Sequence, residues 1–439
     1  MSDDDLERRL RALFDRERLS LLPRPDALEI IHRGARRRQA RRIAAASTGA
    51  ALAAVFVVAA STMIRPAAHR PTTTAPTQLT VPSVSSPAAS PSSTTAEPIS
   101  TQPPTIPTGG PPPRGFVPLS VTGTTSNGQT FWVLGHAPCG AGSCTALAKT
   151  TDGGRSFTEV AAPPSAVVPD VIGALDVFGP QTIADVRFVD AHNGWAYGGA
   201  LWQTSDGGHS WQRVTEVPGN VEQLAVASGH VWAVVNTGSG PDYRLYTSTL
   251  YTATYPGGRW APVKAAGTFG PAEPALVVHD TTVVVIGQDA TTGRPRAVGT
   301  TNARDFTTLP APPCLPAHPS TFSVTADAVW LACAADAPLY VSTDFGQTWT
   351  AVPAHLPAVS AVAAVDPTQA VVATGGELRI VHVDGTVATA VTPGTADGFV
   401  FVGFVNAQVG FAVTETGGSR QLWRTTDAGQ HWSVVSVGG

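Results

Sequence analysis

Four short stretches of the sequence place an aspartate two residues after a Thr or Ser and two residues before a Gly. They are TTDGGRSF (150–157), TSDGGHSW (204–211), STDFGQTW (342–349) and TTDAGQHW (425–432). A carboxylate presented four times could act as a general acid, a general base or a nucleophile, for example in glycoside hydrolysis. It could instead accept hydrogen bonds from the backbone of its own turn, as Asp does in Asx turns.

The aromatic residues that close these octets set a period for the chain from residue 116 onward. Two degenerate copies, YPGGRW ending at Trp260 and TTNARDF ending at Phe306, lie between the second and third octets. Successive aromatic residues are 43 to 54 residues apart, and the final gap of 83 leaves room for one unit without the signature, fitted by VHVDGTV (381–387). Short apolar runs separated by Gly, Asp, Asn and Pro are typical of antiparallel strands. The period therefore predicts an all-β protein, a seven-bladed β-propeller of four-stranded antiparallel blades over 116–439.

Turn chemistry accounts for each fixed position of the octet. In the second copy we expect Asp206 to bond backbone N–H groups, Gly208 to adopt positive φ, and Trp211 to pack into the interior of the blade. A structural role for the aspartates is therefore the favoured interpretation. The equivalent residues of the other copies are Asp152, Gly154 and Phe157; Asp344, Gly346 and Trp349; and Asp427, Gly429 and Trp432.

A second motif lies upstream of the hairpin, in IADVRFVDAHNGWAYGG (183–199) and again in FVFVGFVNAQVGFAV (399–413). The pairing of this motif with the DGG hairpin resembles the Asp-box (BNR-repeat) propellers, and is most similar to the photosystem II stability/assembly factor branch. The sialidases are a more distant resemblance. The resemblance implies that the aspartyl hairpins join third and fourth strands, on the face away from the usual ligand site. It also implies a role in assembly or stabilisation of another protein.

The sialidase resemblance raises glycoside hydrolysis as an alternative function. Such enzymes use three Arg, a Tyr–Glu nucleophile pair and an Asp acid/base. The expected Arg-Ile-Pro motif is missing, because Arg187 is followed by Phe188, and every Tyr lies between 197 and 340. The sequence also lacks a GxSxG elbow. We therefore expect no catalytic residues and a non-catalytic binding role, with hydrolysis by two carboxylates left open.

Charged loops are the candidate binding residues. In a propeller the loops joining second to third strands, and one blade to the next, share a face around the central channel. A long connection, 162–180, should lie over the same face. The candidates are Asp242, Tyr243 and Arg244; Asp289, Arg294 and Arg296; and Glu415 and Arg420.

The four cysteines are predicted to form disulfides, because they lie in the part of the chain placed outside the membrane. Four cysteines allow three connectivities. We predict Cys139–Cys144 and Cys314–Cys333, since each of these pairs stays within one blade. A C-x4-C spacing without His is a poor zinc site, and neither HxH nor HExxH occurs. We expect neither a metal nor a cofactor.

The N-terminal region has the pattern of a single-pass membrane anchor. Residues 43–64 carry no charge and would span about 33 Å as a helix, enough for a hydrocarbon core of about 30 Å. The preceding RGARRRQARR (33–42) has six Arg, which places 1–42 in the cytoplasm and everything after Arg65 outside. A cleaved signal peptide is the alternative interpretation, with AAS (59–61) as its cleavage site.

The two flanking segments differ from the propeller in composition. Residues 1–42 contain a short amphipathic helical pattern, interpreted as a surface-lying tail or a docking site for a cytoplasmic partner. Residues 65–115 are rich in Pro, Thr and Ser and should form an extended, disordered linker. Residues 116–439 hold 13 basic and 23 acidic residues. That acidic balance argues against nucleic acid, so the expected partners are the membrane and an envelope protein or glycan.

Overall fold

The computed structural model describes residues 108–438, except 125–127, 141, 168–180, 238–245, 271–273, 316–320, 326 and 334–337. These residues belong to one compact unit, Ala96–Gly439. The predicted tail (1–42), membrane span (43–64) and most of the linker (65–115) lie outside the described residues. No helix among the described residues has the length and apolar character to cross a membrane.

Seven four-stranded antiparallel sheets follow one another along the chain, which confirms the predicted seven-bladed propeller. The strands of blade 1 are β1 (Val117–Gly123), β2 (Phe131–Cys139), β3 (Gly142–Thr150) and β4 (Thr158–Val160). A parallel pair, β5 (Ala166–Val167) with β6 (Thr182–Ile183), connects it to the next blade. Blade 2 consists of β7 (Asp185–Phe188), β8 (Gly194–Tyr197), β9 (Leu201–Thr204) and β10 (Gln212–Val214).

Blades 3 and 4 follow along the chain. Blade 3 comprises β11 (Asn220–Ala227), β12 (His230–Asn236), β13 (Ser248–Thr254) and β14 (Ala261–Pro262). A short 3-10 helix, Lys264–Ala266, and β15 (Thr268–Phe269), which pairs with β13, follow it. Blade 4 comprises β16 (Ala275–His279), β17 (Thr282–Gln288), β18 (Pro295–Thr300) and β19 (Thr307–Leu309).

The last three blades complete the ring. Blade 5 comprises β20 (Phe322–Val324), β21 (Val329–Ala332), β22 (Leu339–Ser342) and β23 (Thr350–Val352). Blade 6 comprises β24 (Val359–Asp366), β25 (Gln369–Thr374), β26 (Glu377–His382) and β27 (Val387–Thr389). Blade 7 comprises β28 (Gly398–Phe404), β29 (Gly410–Thr416), β30 (Ser419–Thr425) and β31 (Ser433–Val435). Blade 6 is the blade with neither an octet nor a degenerate copy, and its VHVDGTV segment forms the turn between third and fourth strands.

The hydrophobic core lies between blades. Each of the seven clusters of buried apolar side chains draws on two neighbouring blades. Blades 7 and 1 close the ring, where the rings of Phe131 and Phe411 lie 4.5 Å apart between centroids. Arg424 Nη2 also donates to the Gly128 carbonyl across this junction (3.2 Å). Burial of both faces of each sheet therefore requires the complete ring.

The first strand of each blade is innermost, because first strands of neighbouring blades pack against one another at six of the seven junctions. At the junction of blades 2 and 3, β11 packs against β8. Polar side chains tie several of them together. Phe188 N donates to Thr122 Oγ1 (3.1 Å), and Leu276 N donates to Gln223 Oε1 (2.7 Å). The channel is thus bordered by short, mutually bonded strands.

The aspartyl hairpins (150–157, 204–211, 342–349 and 425–432) join third to fourth strands, as predicted. Asp206 accepts hydrogen bonds from Thr204 Oγ1 (2.8 Å), Ser210 N (2.9 Å) and Ser210 Oγ (2.5 Å). Burial raises the pKa of Asp206, but these hydrogen bonds outweigh it and lower the pKa to about 2. The carboxylate is therefore ionised and fully engaged within its own turn.

The hydroxyl that opens each octet is a feature that the sequence interpretation missed. Thr204 Oγ1 donates to the carboxylate and accepts from Gly208 N (3.0 Å), and Gly208 has the predicted positive φ of 93°. The same bonding recurs in the other three hairpins, with Thr150, Ser342 and Thr425 as the hydroxyl residues. Each hairpin is therefore closed by a Thr or Ser together with the Asp.

The predicted packing of the closing aromatic residue needs a correction. Trp211 precedes β10 and packs against a cluster formed by blades 1 and 2, edge-on to Phe188 at 6.1 Å. Its Nε1 donates to the Ala161 carbonyl after β4 of blade 1 (2.7 Å). The ring therefore lies between blades rather than inside one, because the faces of neighbouring sheets provide the apolar surface.

Both predicted disulfides are confirmed. Cys139–Cys144 joins the end of β2 to β3, with the Cα atoms 5.7 Å apart. Cys314–Cys333 joins the segment before β20 to the residue after β21, with the Cα atoms 5.8 Å apart.

Replacing Asp206 with Ala should destabilise the propeller by about 1–3 kcal/mol, because the hairpin N–H and hydroxyl donors lose their acceptor. Chemical unfolding followed by tryptophan fluorescence measures the change. Glu216→Ala, which removes an exposed carboxylate in the loop after β10, is the control and should change stability by less than about 0.5 kcal/mol. Equal effects of the two substitutions would contradict the assigned role.

Candidate functional site

Two charged residues of the predicted blade 4 loop, Asp289 and Arg296, form hydrogen bonds with nearby backbone groups. Asp289 Oδ1 accepts from Thr291 N (3.1 Å) and Thr292 N (2.7 Å). Arg296 donates to the carbonyls of Thr268 (3.1 Å) and Ala266 (3.0 Å), and its guanidinium lies 5.1 Å from the Phe269 ring centroid. Among the three predicted residues of this loop, Arg294 is the exposed one.

The predicted residues of blade 7 form an ion pair. Arg420 Nη2 lies 3.6 Å from Glu415 Oε2, and the side chains are 3% and 36% exposed. Blades 4 and 7 are separated by blades 5 and 6 in the ring. Asp242, Tyr243 and Arg244, and residues 168–180 of the long connection, lie outside the described residues.

A polar cluster that the sequence interpretation missed stands where β7 begins. Asp185 accepts hydrogen bonds from Ser120 Oγ of blade 1, Tyr197 Oη (2.9 Å) and Val186 N (2.7 Å). Burial raises the pKa of Asp185, and the three hydrogen bonds oppose that rise. Burial also raises the pKa of Tyr197 well above its ordinary value, with the Asp185 charge adding to the effect. The phenol is therefore kept protonated as a donor.

Arg187 adds a positive charge beside this carboxylate. It lies two residues along the innermost strand β7, between buried Val186 and Phe188, and is exposed. Its charge stabilises the ionised form of Asp185. An exposed guanidinium on a rigid strand is suited to bidentate contact with a carboxylate of a ligand.

A second carboxylate occupies the equivalent region of blade 3. Glu222 lies at the bulge near the start of β11 and accepts from Asn236 Nδ2 (2.8 Å) and Ser248 Oγ (3.0 Å). Burial raises its pKa to about 7, and these two hydrogen bonds oppose the rise. Glu222 is therefore close to half-protonated at neutral pH.

We call Ser120, Asp185, Arg187, Tyr197 and Glu222 the channel-mouth patch. Its members belong to blades 1, 2 and 3, and Val221 N donates to the Gly198 carbonyl (2.7 Å) between blades 2 and 3. Asp185 and Glu222 stand near the starts of innermost strands, at the opposite ends of the blades from the aspartyl hairpins. The patch combines the exposed Arg187 with the carboxylates of two half-buried residues, Asp185 and Glu222.

The patch could have been found in part from sequence. Asp185 and Glu222 each interrupt an apolar strand pattern at its start, as in ADVRF and NVEQL. Such an acid is costly to bury unless it is bonded or functional. No sequence pattern marked Tyr197 as a site residue, because its contact with Asp185 depends on the register in which β7 pairs with β8. Among the described residues, no group of three or more His, Cys, Asp or Glu is arranged to hold a metal ion.

Comparison with known proteins gives the fold. No protein-family profile and no curated protein sequence matches the chain. Among solved structures, puromycin hydrolase is similar, with 14% identity over 74% of this chain and 54% of that one, and a TM-score of 0.51. The chain thus spans about half the length of that structure, and the likeness is one of fold.

Two further structures are similar over most of the propeller. YCF48 from Cyanidioschyzon merolae is 14% identical over 73% of this chain and 97% of that one, with a TM-score of 0.46. The GH74 xyloglucanase from Xanthomonas campestris is 13% identical over 72% of each chain, with a TM-score of 0.31.

Glu222 should make stability fall as the pH rises. Its folded-state pKa of about 7 exceeds the ordinary value of 4.5, so its contribution is complete below pH 4.5 and lost as the pH rises through 7. Glu222→Gln should therefore remove about 1–3 kcal/mol of the change in unfolding free energy between pH 4.5 and pH 8. Denaturant titrations at several pH values measure this slope. Glu216→Gln, at an exposed position, should leave it unchanged, and an unchanged slope in Glu222→Gln would refute the assignment.

Proposed function

We propose that this chain is a membrane-anchored, extracytoplasmic propeller of the Asp-box type that acts as a non-catalytic binding or assembly scaffold in the cell envelope. The channel-mouth patch carries the proposal. Four of its members lie on innermost strands and Tyr197 lies on β8, and hydrogen bonds join blade 1 to blade 2 and blade 2 to blade 3. A partner therefore meets groups whose backbone positions are fixed before binding.

The chemistry of the patch favours a protein partner over a glycan at this position. Arg187 offers an exposed guanidinium, while Asp185 and Glu222 offer carboxylates. A polypeptide segment can supply charges and amide donors complementary to both. A neutral glycan would meet the only aromatic ring of the patch, Tyr197, at 8% exposure, which leaves little surface for stacking.

Membrane placement is supported by sequence. The uncharged 43–64 and the six Arg that precede it favour a single span with the N-terminus in the cytoplasm. Residues 65–115 would then hold the propeller away from the bilayer. Proline at 13 positions of 66–113 favours an extended chain.

Glycoside hydrolysis is the second candidate, and one observation favours it. A Tyr197–Asp185 pair stands beside Arg187, and Glu222 on the next blade has a pKa of about 7, suited to a general acid. Against nucleophilic catalysis, the raised pKa of Tyr197 keeps its phenol protonated. Binding is therefore the better-supported function.

The binding proposal predicts that charge reversal at Arg187 releases the partner. Full-length protein would be cross-linked in intact cells and its partners identified by mass spectrometry. Arg187→Glu should reduce recovery of the specific partner by at least about tenfold, the effect of losing roughly 1.4 kcal/mol. Arg304→Glu, at an exposed position in the third-to-fourth-strand hairpin of blade 4, should not. Equal recovery with both variants would refute the use of this patch.

The hydrolase alternative predicts turnover of an aryl sialoside or another aryl glycoside by the full-length protein. Glu222→Gln would then abolish turnover while leaving partner recovery in place. Absence of turnover across pH 4.5–8 in the folded wild-type protein would remove this alternative without affecting the binding proposal.

Topology can be tested separately. Fusion of alkaline phosphatase after Gly439 should be active in cells, because that enzyme folds outside the cytoplasm, where disulfides persist. A fusion after residue 42 should be inactive. The reverse pattern would contradict the proposed orientation.

A further inference from the structure

A cleft of about 240 Å³ lies between blades 2 and 3 on the side of the aspartyl hairpins. One wall is the hairpin of blade 2, and the other is the turn that joins β13 to β14, including Thr254 to Gly258 and Trp260. The cleft meets the start of β8, whereas the channel-mouth patch uses Tyr197 at the end of that strand. The two sites are therefore distinct but close, since Arg187 of the patch pairs with Trp195 of the cleft.

Three tryptophans in second strands share one register position. Trp132, Trp195 and Trp330 each pair with the residue that precedes the Thr or Ser of an aspartyl hairpin. Trp132 Nε1 donates to the Gly207 carbonyl of the next blade (3.3 Å), and Trp330 Nε1 donates to the Asp366 carbonyl of the next blade (3.0 Å). Trp195 Nε1 is buried and meets no acceptor among the residues that the structure describes.

The hairpin of the following blade explains this difference. In TYPGGRW (254–260) Pro256 stands where the octets have Asp, and the turn is one residue shorter. Gly258 N bonds to the Thr254 carbonyl (2.7 Å), whereas the octet Gly bonds to the Thr hydroxyl. The altered turn places no carbonyl of blade 3 within hydrogen-bond distance of the Trp195 indole N–H. The cleft lies between this indole and the turn.

Trp260, which closes the altered turn, also has a buried indole N–H without an acceptor in the described part of the chain. Both indoles line the cleft, and they are only 3% and 7% exposed. By contrast, Trp211 and Trp432 donate to carbonyls at 2.7 and 2.9 Å. An unpaired buried donor costs about 1–3 kcal/mol of folding free energy. A ligand that supplies acceptors to both indole N–H groups would remove this cost.

The remaining lining is neutral. Amide and hydroxyl groups come from Asn193, Gln203, Ser205 and Gln212, and none of the described residues that line the cleft carries a formal charge. Tyr255 stands edge-on to Trp195, with 5.7 Å between ring centroids. Aromatic rings combined with amide and hydroxyl groups suit a ligand with C–H faces and neutral oxygens.

We propose that this cleft binds a single neutral sugar ring, such as a hexose or an N-acetylhexosamine unit of a glycan. Its hydroxyl or acetamide oxygens would meet the unpaired indole donors, and its C–H face would pack on the aromatic rings. The volume is below the roughly 300–1,000 Å³ of sites for drug-sized ligands, which fits one ring. A proline-rich peptide can also accept from Trp, but it requires an extended groove.

The test uses the full-length protein in a zwitterionic detergent without sugar headgroups, titrated with cellobiose and with the disaccharide of N-acetylglucosamine. Calorimetry and tryptophan fluorescence would measure binding. At least one disaccharide should bind, and Trp260→Phe should weaken it about tenfold through loss of one hydrogen bond. Trp349→Phe is the matched control, because its indole N–H also lacks a described acceptor but lies outside the cleft.

Two exposed rim positions keep the test independent of folding. Ser205→Trp should fill the cleft and abolish binding, and Gln212→Ala should weaken it, while both proteins keep the unfolding midpoint of the wild type. Ser205→Trp should leave recovery of the cross-linked partner unchanged, which separates this site from the channel-mouth patch. The proposal is overturned if neither sugar binds, if Ser205→Trp binds as the wild type does, or if a peptide of residues 97–108 binds the cleft and neither sugar displaces it.

Discussion

Burial of apolar side chains between neighbouring blades is the interaction on which this structure depends. Each sheet carries apolar residues on both faces, and all seven buried clusters join two blades. A single blade would leave both faces in water, so stability requires the closed ring. The Phe131–Phe411 contact closes it without a strand exchanged between the first and last blades. This closure holds the innermost strands at fixed separations, and those strands position the channel-mouth patch.

The two ends of the blades are built by different chemistry. At one end, aspartate and hydroxyl side chains close the hairpins and lie within reach of the preceding blade, so most of their hydrogen-bonding capacity is used within the fold. At the other end, the carboxylates of Asp185 and Glu222 on innermost strands are hydrogen-bonded, and both residues are half-buried. Where the aspartyl hairpin is absent in blade 3, the indole of Trp195 loses its partner and a cleft appears. Loss of a structural turn thus creates a candidate site.

Several charged loop residues predicted from sequence as binding candidates make contacts within the protein. The sequence shows that a loop residue is charged, but it does not show which group in the folded protein pairs with that charge. Arg296 and Asp289 form hydrogen bonds with nearby backbone groups, and Arg420 forms an ion pair with Glu415. Asp185 and Tyr197 are separated by twelve positions and come together because β7 pairs with β8 in one register. Ser120 belongs to another blade, and only the ring brings it to Asp185.

The sequence by itself determined the number of blades, the position of each aspartyl hairpin and both disulfides, because each depends on contacts within about fifty residues of chain. Turn chemistry and strand alternation are local, so their period could be read directly. Tertiary structure alone decided where the closing aromatic rings pack, which carboxylates become buried, and which indole donors lack acceptors. Those properties depend on the neighbouring blade, whose side chains and turns are distant in sequence and meet each donor only after the ring has closed.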